Sequence, residues 1–154
     1  MNDRNQPLVF AARTRKNLDF IEAAALRGED VHRVIQITVS LLGLVVIPRE
    51  KLLLPHLKDM TMASMAAEGW PTWQICLGEA ETKTLHDLVR HLRNAAAHGR
   101  LDFTSDCRDP AEVDIIAEDM PYGSSEPNWR AHIRADQLRD FCYKFLDLID
   151  DSMG

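Results

Sequence analysis

Apolar residues recur along this chain at helical spacing in four places. The clearest is Leu85–Arg100, LHDLVRHLRNAAAHGR, where Leu85, Leu88, Val89, Leu92, Ala95 and Ala96 fall at i, i+3, i+4, i+7, i+10 and i+11, one buried helix face. Thr84, with Asp87 three residues on, forms a capping pair for its start. Gly99 supplies the stop, because glycine takes the left-handed conformation that closes a helix. The helix is predicted over roughly 82–98. A closing helix over Asp136–Asp150 repeats the template with Leu138, Phe141, Cys142, Phe145, Leu148 and Ile149. Upstream, Arg13–Leu26 reads as a first helix with Leu18, Ile21 and Ala25 on one face. Gly28 closes it and Asp30 caps the next. That second helix, Val31–Ile47, is nearly all apolar from Val34 onward. Only 15 residues separate Arg33 from Arg49, and Gln36, Thr38 and Ser40 interrupt them. A membrane span wants ~20 apolar residues, so this is read as the central helix of a bundle, ended by Pro48.

The remaining stretches carry weaker patterns. Residues 1–12 read as a loose lead-in. Leu52, Leu53, Leu54 and Leu57 predict a short turn of helix around Pro55, and a helical piece follows through Met60–Ala67. Met60, Met62 and Met65 are core filler there. Gly69-Trp70-Pro71 breaks the chain, after which Trp73 and Ile75 pack over the core. Leu101–Thr104 alternates as a short strand would, and Val113–Ile116 and Trp129–Ile133 also read as extended. A turn-rich loop with Pro121, Gly123, Ser124, Ser125 and Pro127 separates the last two. The fold expected is mainly α: one domain over 1–154, an up-and-down bundle of four to five helices, with a small antiparallel β element before the C-terminal helix.

Composition narrows the class. The chain has 154 residues with 45% hydrophobic and 27% charged content, the profile of one globular domain with a real core. Three cysteines, Cys76, Cys107 and Cys142, cannot all pair within the chain and show no metal spacing, which suits a reducing cytosol. MNDRNQPLVF has no charged region followed by an apolar one, so no signal peptide is read and the expected location is cytoplasmic. The net charge of -6 argues against a general nucleic-acid binder. Its distribution softens this, since residues 1–100 carry 13 Lys and Arg against 11 Asp and Glu, and residues 101–154 carry 5 against 13. Asp114, Glu118 and Asp119 form an acidic cluster without zinc or calcium spacing and are read as solvated surface. P-loop, G-x-G-x-x-G, H-E-x-x-H, C-x-x-C and G-x-S-x-G patterns are absent.

At ~100° per residue from Leu85, Arg93 falls near 80°, on the flank of the core face, and His98 near 220°. Asn94 lies between them, one turn before His98. Arg90 and the small Ala97 fill the ground beside them. The motif R-N-x-x-x-H late in a helix, here Arg93-Asn94-Ala95-Ala96-Ala97-His98, resembles the HEPN superfamily (higher eukaryote and prokaryote nucleotide-binding domains). LVRHLRNAAAHGRLDF, with RTRKNLDFIE and VSLLGLVVIPRE upstream in the same order, is similar to the plasmid-borne HEPN branch. The resemblance runs to about Phe103 and, more weakly, into the C-terminal helix. Of the six histidines, His32, His56, His86, His91 and His132 are read as ordinary. His98 is set apart by Arg93 and Asn94.

Those residue types suit metal-free RNA cleavage. A base must take the proton of the ribose 2′-OH, and a cation must hold the phosphate as negative charge develops. Histidine titrates near neutrality, and arginine grips phosphate through two parallel bonds. One helix presents Arg93 and His98 ~140° apart, so a single copy aims both at one phosphate only with difficulty. The HEPN resemblance implies a homodimer that joins both pairs in one cleft, with Asn94 orienting the imidazole. The expected catalytic set is Arg93, Asn94 and His98, with Arg90 and Arg100 holding substrate and no cofactor or metal. Three readings follow: an RNA endonuclease acting as the toxin of a toxin–antitoxin or defence system, a non-catalytic HEPN dimer that binds RNA, nucleotide or a nucleotidyltransferase partner, and a bundle whose motif is accidental.

Overall fold

The structure, a computed structural model, describes residues 6–46 and 56–153. Four long helices, α1 (Gln6–Leu26), α2 (Arg33–Val46), α4 (Leu85–Ala97) and α5 (Ala135–Met153), frame one core, with a shorter α3 (Met62–Ala67) between α2 and α4. Four strands, β1 (Gln74–Leu77), β2 (Leu101–Phe103), β3 (Asp114–Asp119) and β4 (Trp129–Arg134), form an antiparallel sheet in the order β1-β4-β3-β2. The fold is mainly α, as expected. No helix among the described residues is long and apolar enough to cross a membrane.

α2 is the hub, in contact with α1, α4 and α5. Its Val34, Ile37, Leu41, Leu44 and Val45 are buried. The interruption at Thr38 and Ser40 is absorbed locally: each hydroxyl donates to the carbonyl four residues back, on Val34 and Gln36. Arg33 bridges to Glu22 of α1 at 2.7 Å, and Arg139 of α5 reaches the same carboxylate at 3.5 Å. This ties three helices around a half-buried charge.

Two expectations about the first helices are corrected. Residues 6–12 are not a loose lead-in but the first turns of α1. Ala11 and Leu18 are fully buried, and the Phe10 ring lies so close to α2 that a Cβ on Gly43 would come within 2.6 Å of it. Glycine at 43 thus sets how near the two helices pass. Asp30 does not cap α2. His32 accepts from the Ile35 N–H at its start, and Asp30 pairs with Arg108 instead.

α4 starts as its sequence dictates. Thr84 Oγ1 accepts from Asp87 N, and Asp87 returns bonds to the backbone N–H groups of Thr84 and Lys83. Burial works against the Asp87 charge, but those donors hold its carboxyl below the ordinary range. Leu85, Leu88, Val89, Leu92 and Ala95 are all buried, and Gly99 closes the helix at φ 65°. Around α3, Met65 is buried with Met60 and Met62 packed against the core. Of the predicted turn at Leu52–Leu57, the described part, 56–59, is helical, and Pro48 with the rest lies outside the described residues.

The sheet is larger than the three extended segments read from sequence. β1 adds a fourth strand around Ile75, which pairs with Ala131. β3 runs three residues past Ile116. That extension carries Asp119 to α4.

Candidate functional site

Strand alternation decides where Asp119 points. Along β3, Ile115, Ala117 and Asp119 are buried while the residues between them are only half-buried. Across the sheet, Asp119 pairs with Trp129, itself fully buried. Both side chains therefore meet α4, which packs on β3 as well as on α2. The reading of Asp119 as solvated surface is corrected on this point. Its neighbours Asp114 and Glu118 face outward and pair with His132 and Arg130.

His91 of α4 fills the space between Asp119 and Trp129. Its ring stacks on the indole, with centroids 4.7 Å apart and planes 6° from parallel. Its Nδ1 lies 2.9 Å from Asp119 Oδ2. A carboxylate only accepts, so Nδ1 carries the proton in this bond. The indole Nε1 donates to Thr82 Oγ1 at 2.9 Å, which fixes the plane on which His91 rests. Asn94, one turn further along α4, donates its Nδ2 to the same Asp119 oxygen at 3.2 Å. One buried carboxylate oxygen thus anchors two side chains of the helix.

The end of α4 delivers His98 beside this anchor. His98 is the C-cap, exposed, with its N–H on the Asn94 carbonyl at 3.2 Å. The chain then turns through Gly99, and Arg100 N donates to Ala95 O at 2.8 Å. The Arg100 carbonyl accepts from Glu118 N at 3.1 Å, drawing the end of β3 against the end of α4. A cavity of about 300 Å³ opens there, lined by Asn94, His98, Arg100, Asp119 and the loop 120–124. The Nε of Arg100 is buried without a hydrogen-bond partner, and Tyr122 at the rim is fully exposed. Histidine, guanidinium and amide thus share one wall with a carboxylate.

The expected site residues therefore separate. Asn94, His98 and Arg100 come together at the cavity. Arg90 is exposed on the same side of α4 as Asn94 and Ala97 but does not line it. Arg93 is half-buried and turned toward α2, its Nε donating to the Val45 carbonyl at 3.0 Å. This agrees with its projected place on the flank of the core face, where it serves Val45 of α2. Among the described residues, no three His, Cys, Asp or Glu side chains are grouped to hold a metal ion.

Residues 1–154 match the profile of a family described as HEPN pEK499 p136. The chain belongs to that HEPN family. The match spans its full length, which overturns the reading of the motif as an accident in an unrelated bundle. No curated protein and no solved structure matches it. Membership places the chain among RNA-related or nucleotide-binding HEPN domains in general.

Sequence reasoning missed His91, Asp119 and Trp129. A signal for the first was present: His91, Asn94 and His98 stand at i, i+3 and i+7, one stripe of a helix.

Proposed function

We propose that this HEPN protein is a metal-independent endoribonuclease. The observation that carries the reading is the placement of the R-N-x-x-x-H histidine. His98 is exposed at the end of α4, on a cavity it shares with Asn94 and Arg100. An imidazole there takes the proton of a ribose 2′-OH. The 2′ oxygen bonds to the adjacent phosphorus and the bond from phosphorus to the 5′ oxygen breaks. The leaving oxygen receives a proton from a second imidazole. The products are a 2′,3′-cyclic phosphate and a 5′-hydroxyl. DNA lacks the nucleophile and is spared.

The second imidazole and a second arginine come from another copy of the chain. Arg93 and His98 diverge on one helix, and Arg93 faces the end of α2 rather than the cavity. Two copies crossing on the exposed Arg90, Asn94 and Ala97 stripe bring the arginine of each toward the histidine of the other. Ile35, Val39 and Val46 are exposed on α2 and offer further apolar surface to a second copy. Size-exclusion chromatography with light scattering is expected to give twice the monomer mass of 17.5 kDa. A monomer at high micromolar concentration contradicts the composite site. The activity fits the toxin of a toxin–antitoxin or defence pair.

The net charge of -6 and the carboxylate of Asp119 in the cavity wall favour a second reading, a HEPN dimer that binds RNA, nucleotide or a nucleotidyltransferase partner without cutting. Incubating the purified protein with total RNA, with and without chelator, separates the two. Cleavage that persists in chelator and is absent from a His98→Ala control supports the first. Binding without cleavage supports the second.

A further inference from the structure

The proposed chemistry uses Arg93, Asn94, His98 and Arg100 and leaves unexplained why a carboxylate and an imidazole are buried together behind them. Asp119 is 7% exposed and His91 is 4% exposed. A buried carboxylate needs more than one donor to offset its lost hydration, and here the donors are His91 Nδ1 and Asn94 Nδ2 on one oxygen. The second bond has a directional consequence. An amide that gives its NH₂ to Asp119 must turn its carbonyl oxygen the other way. His98 lies one turn along the same helix, where i and i+4 side chains are neighbours.

We infer that Asp119, itself held by His91, is a positioning residue for the reaction. It locks the Asn94 amide so that Asn94 Oδ1 accepts a hydrogen bond from His98 Nδ1. The His98 proton then sits on Nδ1, and Nε2 faces the cavity with its lone pair available to the 2′-OH. Without the lock the amide rotates, either nitrogen of His98 can hold the proton, and only part of the population carries a usable base. Stacking of His91 on Trp129 and the bond from Trp129 to Thr82 keep the carboxylate's own partner in place. The inference rests on His98 being the proton-transfer group, but its first consequence is visible without substrate.

The experiment has two arms. Long-range ¹H–¹⁵N spectra of the histidine rings, taken at pH about 8.5 where an unperturbed imidazole is neutral, report which nitrogen of His98 is protonated. The dimeric wild type is expected to show one tautomer, Nδ1–H, and Asp119→Ala and Asn94→Ala are each expected to show a mixture. In cleavage assays each single change lowers kcat about 10–100-fold with KM little altered, the size typical of lost orienting partners. Asp119→Ala added to Asn94→Ala is expected to cost nothing more, because both break one chain of bonds. Because Asn94 is exposed, Asn94→Ala covers the case in which Asp119→Ala fails to fold. Asn94→Asp cannot donate to Asp119 but offers His98 an acceptor on either oxygen, so it needs no lock and is expected to keep the Nδ1–H tautomer. An unchanged His98 tautomer in the alanine variants, losses that multiply in the double variant, or a mixed tautomer in Asn94→Asp would each overturn the inference. A wild type that shows the locked tautomer and cuts no RNA refutes the ribonuclease reading while leaving the positioning chain standing.

Discussion

Replacing His98 by alanine is expected to lower RNA cleavage by ~10²–10⁴-fold, the usual worth of a positioned proton-transfer group. The variant should still fold. His98 is exposed at the end of α4, and the bond from its backbone N–H to the Asn94 carbonyl does not depend on the side chain, so its thermal midpoint is expected to match the wild type. Arg93→Lys is expected to lose cleavage too, since lysine keeps the charge but not the planar fork that grips phosphate. That change carries a second effect, because Arg93 Nε also satisfies the Val45 carbonyl near the end of α2. A lower melting temperature in Arg93→Lys beside an unchanged one in His98→Ala would separate the two roles. Full cleavage by His98→Ala would assign the activity to a contaminant.

The largest effect on stability is expected at Trp129. The indole is fully buried, stacks on His91, donates to Thr82 and faces Asp119 across the sheet. Trp129→Ala opens a cavity between α4 and the sheet and is expected to cost ~3–5 kcal/mol in a urea melt. Trp129→Phe refills most of the space but leaves the Thr82 hydroxyl without its donor, and should cost less. A loss below ~1 kcal/mol for Trp129→Ala would mean that α4 is not braced on the sheet through this stack.

Elements with a strong period were legible in the sequence. α4, its capping box and its glycine stop follow directly from spacing, as does the burial of Leu88 and Leu92. Elements defined by their partners were not. Residues 6–12 belong to α1, and what holds them is Phe10 packed on Gly43, a contact between residues far apart in the chain. β1 exists because β4 offers it a pairing edge. The site divides in the same way. The motif itself is local, so Asn94 and His98 stand out. Asp119 read as surface because it ends an acidic run, although the alternation Ile115, Ala117, Asp119 already turned it inward. A charged residue on the inner face of a strand needs partners, and those partners lie on α4, where His91 was passed over as ordinary.

Mass analysis of the ends left on a cut oligoribonucleotide tests the central claim most directly. The wild-type protein is expected to leave a 2′,3′-cyclic phosphate on one fragment and a 5′-hydroxyl on the other, with chelator present. A single 2′-deoxy nucleotide at the cut position is expected to block that cut. Fragments ending in 3′-hydroxyl and 5′-phosphate, cleavage that survives the 2′-deoxy substitution, or no cleavage of any RNA by the folded protein would contradict the assignment.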